Sequence, residues 1–292
     1  RFSQFHPRPD GGPRVRLGFL LGNLDGWTGS RQQSEGMWLV DHPGFRAADA
    51  LKTWRHFERI YDSEPWYVPP HAYYWQADPA KPLRHGTPPC GQVDLVPAEA
   101  PASVLQEYGT LALLGWNTMT EALYEKLLAF VAHGGTLFLA VPHLDTRTRT
   151  DRPPAFLREG DVRALCGVRL LGPGATVEEV SLREQTANPR CVFPQGTLYL
   201  EGATLAQLEL AGARVLAHPR GLPEQPVLLE HRVGTGFVYL LATWDYPGER
   251  LDAFITDILR TLAEAEQEEI AVAGRDVVYA VYDGTLPSGP AC

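Results

Sequence analysis

The sequence predicts an α/β fold with a mostly parallel sheet and helices on both faces, plus a short C-terminal β segment. Three observations lead there. Val15–Leu21, Thr110–Trp116 and Gly135–Val141 are continuous apolar runs, as expected of strands covered on both sides. Met119–Ala132, between the second and third runs, carries apolar residues at helical spacing. Strand, helix and strand in that order call for a parallel crossover.

Each element has a local reason. Val15–Leu21 ends in the polar, glycine-rich stretch Gly22-Asn23-Leu24-Asp25-Gly26-Trp27. A helix over Ala47–Tyr61 places Ala47, Ala50, Leu51, Trp54, Phe57 and Tyr61 on one stripe. Residues 62–91 hold Trp66, Tyr67, Tyr73, Tyr74 and Trp75 among seven prolines. Such a long ordered loop reads as an interface or lid insertion. Val93–Val96 reads as a short strand and Ala102–Tyr108 as a short helix. Thr118-x-x-Glu121 has the form of a capping box, and Gly134-Gly135 supplies the stop. Val162–Cys166 reads as another short helix. Thr176–Val180, Arg190–Phe193 and Thr197–Leu200 read as short, broken strands. Val227–His231 and Phe237–Thr243 flank Gly234-Thr235-Gly236 as a hairpin, and Glu249–Ala265 is a closing helix.

Composition limits what the chain does. It has 292 residues, enough for one large or two modest domains. With 26 Lys and Arg against 35 Asp and Glu, the net charge is −9, which disfavours nucleic acid and anionic membrane partners. No apolar run approaches the roughly 18–20 residues that span a bilayer. Cys90, Cys166, Cys191 and Cys292 form no C-x-x-C pair and match no zinc spacing, so buried thiols are the expectation. The chain opens Arg1-Phe2-Ser3, and Asp276–Tyr282 starts what reads as a new strand, so it is expected to be an internal piece of a longer polypeptide.

Tyr124-Glu125-Lys126-Leu127 with His133-Gly134-Gly135-Thr136-Leu137 resembles a helix and Gly-Gly-Thr-Leu strand of class I glutamine-amidotransferase-like, flavodoxin-like domains. Gly234-x-Gly236-x-Val238-Tyr239, followed by Trp244 and a closing helix, is similar as well. The nearest likeness over Val15–Ala265 is to the trimerisation domain of bacterial β-galactosidases of glycoside hydrolase family 42. The resemblance implies a homo-oligomer, with a barrel upstream and a small β domain downstream; localisation stays open, with the bacterial cytoplasm favoured. Residues 1–14 would then be a linker, 15–267 the α/β domain and 268–292 the start of the β domain. In amidotransferases a nucleophilic Cys stands in a tight elbow after the strand that matches Gly135–Val141. This chain has Val141-Pro142-His143-Leu144-Asp145, with no Cys, Ser or Gly. The long aromatic loop and Gly115-Trp116-Asn117-Thr118 depart from the pattern, leaving the sugar and hydrolysis versus phosphorolysis open.

Ligands of open α/β sheets lie beyond the carboxyl ends of the strands. Asn23, Asp25, Asp94, Asn117, His143, Asp145, Trp244 and Asp245 are placed there or close to it. With Trp75 from the aromatic loop, the set Asn23, Asp25, Asn117, His143 and Trp244 makes a candidate carbohydrate rim; helix capping and loop satisfaction are the competing roles. Glycoside hydrolysis needs two carboxyl groups about 5–10 Å apart, and Asp25, His143 and Asp145 are the candidates for a self-contained site. His-x-Asp is too common a spacing to indicate a metal, and Gly22-x-x-x-Gly26 lacks the residues of a phosphate loop. No metal and no cofactor is expected. The leading expectation is a non-catalytic accessory and oligomerisation domain of a carbohydrate-active enzyme, shaping the active-site rim of a neighbouring barrel. The alternatives are the self-contained hydrolase and a pure interaction module.

Overall fold

A computed structural model of the protein describes residues 15–22, 93–115, 117–147, 152–246 and 250–266. The expected helix 47–61, the aromatic loop 62–91 and the strand 276–282 lie outside the described residues. So do Asn23, Asp25, Trp75 and Cys90.

The described strands are β1 (Leu17–Leu21), β2 (Val93–Pro97), β3 (Thr110–Leu113), β4 (Thr136–Ala140), β5 (Val168–Val177), β6 (Val180–Leu182), β7 (Leu198–Tyr199), β8 (Ala203–Leu210), β9 (Arg214–Pro219), β10 (Leu228–Val233) and β11 (Gly236–Leu241). The helices are α1 (Ala102–Leu105), α2 (Glu121–Ala132), α3 (Arg163–Cys166) and α4 (Asp252–Ala265). Nine strands form one sheet in the order β2-β1-β3-β4-β11-β10-β9-β6-β7. The first five are mutually parallel, and the remaining contacts from β11 to β7 are antiparallel. β5 and β8 form a separate antiparallel ribbon.

The expected parallel half is present, but the sheet as a whole is mixed. After β4 the chain mostly turns back through short loops instead of crossing over with long helices, and short returns produce antiparallel neighbours. The hairpin expected around Gly234-Thr235 is β10–β11, with Val233 opposite Gly236.

Apolar runs on β1, β3, β4 and β11 divide between two cores because alternate side chains face opposite sides. Leu17, Phe19, Ala112, Leu114, Phe138, Ala140, Tyr239 and Leu241 share one core with Phe254, Ile255, Ile258, Leu259 and Leu262 of α4. Leu20, Leu111, Leu113, Leu137, Leu139, Val238 and Leu240 share the other with Leu123, Tyr124, Leu127, Phe130 and Val131 of α2. Among the described residues no helix is long and apolar enough to cross a membrane.

Several boundaries differ from the sequence expectation. The cap of α2 is Thr120, whose Oγ1 accepts from Leu123 N at 3.1 Å, and not Thr118. Met119 N is held by the Asp145 carbonyl at 2.7 Å, which keeps the chain before Thr120 outside the helix. Thr176–Val180 is not one strand; it spans the end of β5 and the start of β6. Arg190–Phe193 is a loop, because Asn188 Oδ1 accepts from Arg190 N at 3.1 Å and closes an Asx turn. The last helix begins at Asp252, after Leu251 adopts a left-handed conformation with φ of 56°.

The two glycine motifs noted in the sequence pack against the end of one helix. A Cβ on Gly236 would collide with the carbonyl oxygens of Val131 and Gly135, and one on Gly234 with the carbonyl of Ala132. A Cβ on Gly135 would strike the Phe130 ring. The obstacles at Gly234 and Gly236 are backbone atoms, which do not swing aside. Gly236→Ala is therefore expected to destabilise the fold by about 1–3 kcal/mol, read from the urea midpoint. Thr235→Ala, at the exposed neighbour, is expected to cost under about 0.5 kcal/mol; equal costs would show that this close approach does not constrain the fold.

Candidate functional site

Three segments converge beyond the carboxyl ends of β3, β4 and β11. Gly115 and Asn117 follow β3. A 3₁₀ turn, Val141–Leu144, and then Asp145 follow β4. Trp244, Asp245 and Tyr246 follow β11. Pro142 is the second residue of the 3₁₀ turn, where a missing N–H costs little.

The turn carries His143 inward. The residue is fully buried, and its Nδ1 accepts a hydrogen bond from Ala140 N at 2.8 Å. An Nδ1 that accepts leaves the proton on Nε2 of a neutral ring, to which the backbone of Leu114 and Gly115 offers only poorly aligned acceptors. Burial lowers the pKa of the ring to about 3, against a smaller opposing effect from the backbone of Leu114 and Gly115. The uncharged form is retained because the site excludes water.

Asn117, also buried, donates from Nδ2 to the His143 carbonyl at 3.2 Å. Tyr246 donates its hydroxyl to the Pro142 carbonyl at 3.3 Å and accepts from Asn117 N at 3.5 Å. Its ring meets His143 edge-on, with centroids 5.6 Å apart. Asn117, His143 and Tyr246 thus form one knot that ties the ends of β3, β4 and β11 together.

Asp145 does separate work. Its Oδ1 accepts from Arg147 N at 3.0 Å and Ala155 N at 2.9 Å, closing the loop between them. Burial raises its pKa, opposed mainly by the Ala155 and Arg147 amides. Trp244, half-buried, meets Phe156 edge-on at 5.5 Å. Asp245 Oδ2 accepts from Thr204 N at 2.7 Å, and Trp244 N donates to the Thr204 carbonyl. These bonds lay the start of β8 across the end of β11.

Of the residues singled out in the sequence, the structure brings Asn117 and His143 into contact, while the Asp145 carbonyl is taken by Met119 N. Asn23, Asp25 and Trp75 lie outside the described residues, so their distance to this group is not defined. Asp94 is not at a carboxyl end: it stands opposite Gly18 near the start of its strand, where its carboxylate accepts from Tyr108 Oη at 2.9 Å. Cys166 is fully buried and its thiol pKa is pushed well up by burial; Cys191 is pushed up to about 11 for the same reason. Tyr246 was missed, and its signal was its position two residues beyond Trp244. Two arginines near the site are engaged: Arg147 bonds the Pro153 carbonyl, and Arg158 pairs with Glu121 and Glu125 while lying 4.4 Å over the Tyr124 ring. Among the described residues, no three His, Cys, Asp or Glu side chains group as metal ligands.

No protein-family model matches the chain, and no curated protein matches it. Solved structures do. A β-galactosidase from Bacillus circulans sp. alkalophilus superposes with a TM-score of 0.54 at 15% identity, covering 94% of this chain and 35% of that one. A β-galactosidase from Rahnella sp. R3 gives 0.51 at 15% identity, covering 86% and 31%. A catalytic mutant of a GH42 β-galactosidase from G. stearothermophilus gives 0.47 at 15% identity, covering 86% and 30%. The chain spans about a third of the length of these structures and is similar in fold to that segment of a larger glycosidase.

The buried ring of His143 makes a pH prediction. In the unfolded chain this histidine titrates near its ordinary value of about 6.5; in the fold it stays neutral down to about 3. Between these values the unfolded state binds the extra proton, so its contribution to stability is full above pH 6.5 and is lost as pH falls toward 3. Chemical denaturation across that window is expected to show a steeper acid loss for the native chain than for His143→Leu. At pH 8 the variant should be weaker by about 1–3 kcal/mol, because Ala140 N loses its acceptor. Parallel pH curves for the two proteins would contradict the assignment.

Proposed function

We propose that the chain is a non-catalytic α/β accessory and oligomerisation domain of a β-galactosidase-like carbohydrate-active enzyme, and that it shapes the active-site rim of a neighbouring barrel. The observation that carries this reading is the superposition on a β-galactosidase over 94% of this chain but only 35% of that enzyme. The order of the five parallel strands supports a flavodoxin-like, amidotransferase-like domain, since counted among themselves they run 2-1-3-4-5. In this reading residues 15–267 are that domain, 1–14 join it to an upstream barrel and 268–292 begin a β domain. Carbohydrate would reach it through the parent enzyme.

The chemistry at the strand ends agrees. His143 is buried and bonded to its own backbone turn, and the Asp145 carboxylate closes a loop. A general acid or base has to reach a substrate proton directly or through one water, and His143 has no exposed surface from which to do so. Carbohydrate contact in this reading falls to the rim side chains that retain some exposure, Trp244 first.

Purified 292-residue chain is expected to leave aryl β-galactosides and β-mannosides intact and to self-associate with rising concentration in sedimentation velocity. Turnover abolished by Asp145→Asn would defeat the non-catalytic part of the reading. A species that stays monomeric at every concentration would defeat the oligomerisation part.

A further inference from the structure

Two carboxylates, Glu230 and Glu266, are buried away from the site described above, the second at the amino end of β3. Glu230, on β10, follows the apolar run Val227-Leu228-Leu229; its side chain is 4% exposed. It accepts from Ala187 N at 2.9 and 3.1 Å, from Arg214 at 2.9 Å and from the Thr186 hydroxyl. The same hydroxyl lies 2.6 Å from Tyr239 Oη. Glu266, just past α4, is equally buried. It accepts from Thr110 Oγ1 at 2.8 Å, from Arg190 at 3.1 Å and from Arg16 Nε at 3.3 Å.

These partners are far apart in the chain. Arg16 leads into β1 and its carbonyl takes hydrogen bonds from Gly109 N and Thr110 N. Thr110 opens β3. Arg190 belongs to the loop 183–193 and also donates to Thr136 Oγ1 at the start of β4. Gly109 leaves the space for the Glu266 carboxylate, since a Cβ there would collide with it. An ionised carboxylate taken out of water is costly unless cations and donors surround it, and removing one partner of such a group is more damaging than removing a surface pair.

We infer that Glu266 is a conformational clasp that joins the segment leading into β1, the strap of residues 186–193 and the end of α4 into one cooperative unit. The strap is held at both ends: Glu230 fixes Thr186 and Ala187, and Glu266 fixes Arg190. Between them the strap closes over the amino ends of β3 and β4. Release of Glu266 loosens three stretches that share no sequence neighbourhood, because this one carboxylate is the polar contact common to Arg16, Thr110 and Arg190, beside the apolar core that Leu17, Phe193 and Leu262 share. The inference is independent of the accessory-domain reading, since it concerns the order of the fold and not its partners.

Hydrogen exchange followed by mass spectrometry on the full chain tests it, with Glu266→Gln against the exposed control Glu264→Gln. Glu266→Gln is expected to accelerate exchange by roughly tenfold or more both at Arg16–Phe19 and at Ala187–Phe193, while α2 keeps its native rate and the control changes nothing. Acceleration confined to the last turn of α4, or spread evenly over the chain, overturns the clasp. If Glu266→Gln does not fold, Arg190→Met carries the test. It removes only the strap's arm, and faster exchange at Arg16–Phe19, which Arg190 does not touch in any described contact, is the expected result. An Arg190→Met effect that stops at the strap overturns the inference.

Discussion

The pairing of β4 with β11 holds the two halves of the structure together. Phe237 to Leu241 run beside Thr136 to Ala140 in parallel, and β11 at the same time closes an antiparallel hairpin with β10. The sheet changes character at this seam. The pairing depends on how closely the hairpin turn approaches the end of α2: Gly234 and Gly236 sit where any side chain would meet the carbonyls of Val131 and Ala132. The packing of two small motifs, separated by a hundred residues, thereby sets the register of a nine-stranded sheet.

The same seam governs the carboxyl end. Tyr246, delivered by the segment after β11, reaches the turn after β4 and the amide of Asn117 after β3. In an enzyme of this general shape those strand ends would stay open to a ligand. Here Asn117 and Tyr246 bond the backbone of the turn, Ala140 N bonds His143 Nδ1, and burial keeps the imidazole neutral. The geometry gives His143 a backbone partner within its own turn, Ala140 N. A turn that contains Pro142 and no glycine has directed the following side chain into the interior.

The parallel half was legible in the sequence because short continuous apolar runs fit strands covered on both faces, and Leu123, Leu127 and Val131 repeat at the spacing that makes a helix cover them. The antiparallel half was harder. Its strands are short and Arg190–Phe193 has strand-like composition, yet a single Asn188 side chain bends it into a turn. The capping position was misread by two residues because Met119 is held from across the fold by Asp145, which no local pattern records. At the candidate site, Asn117 and His143 were identifiable as polar residues at strand ends. Their burial was not, since it depends on Tyr246 arriving from a distant segment. Glu230 and Glu266 escaped notice for a related reason: an acid with a buried role resembles a surface acid until its partners are known.

The division of each central strand between two cores has a consequence for how this sequence tolerates change. Leu113 and Leu114 are neighbours in the chain, but one belongs to the core under α2 and the other to the core under α4. Substitutions at such adjacent positions share few partners, so their energies should add, whereas a loss at Leu114 is open to compensation from α4, a hundred and forty residues away. Covariation in this domain would thus follow faces and skip along the strand, and two semi-independent interiors could drift at different rates behind one unchanged backbone.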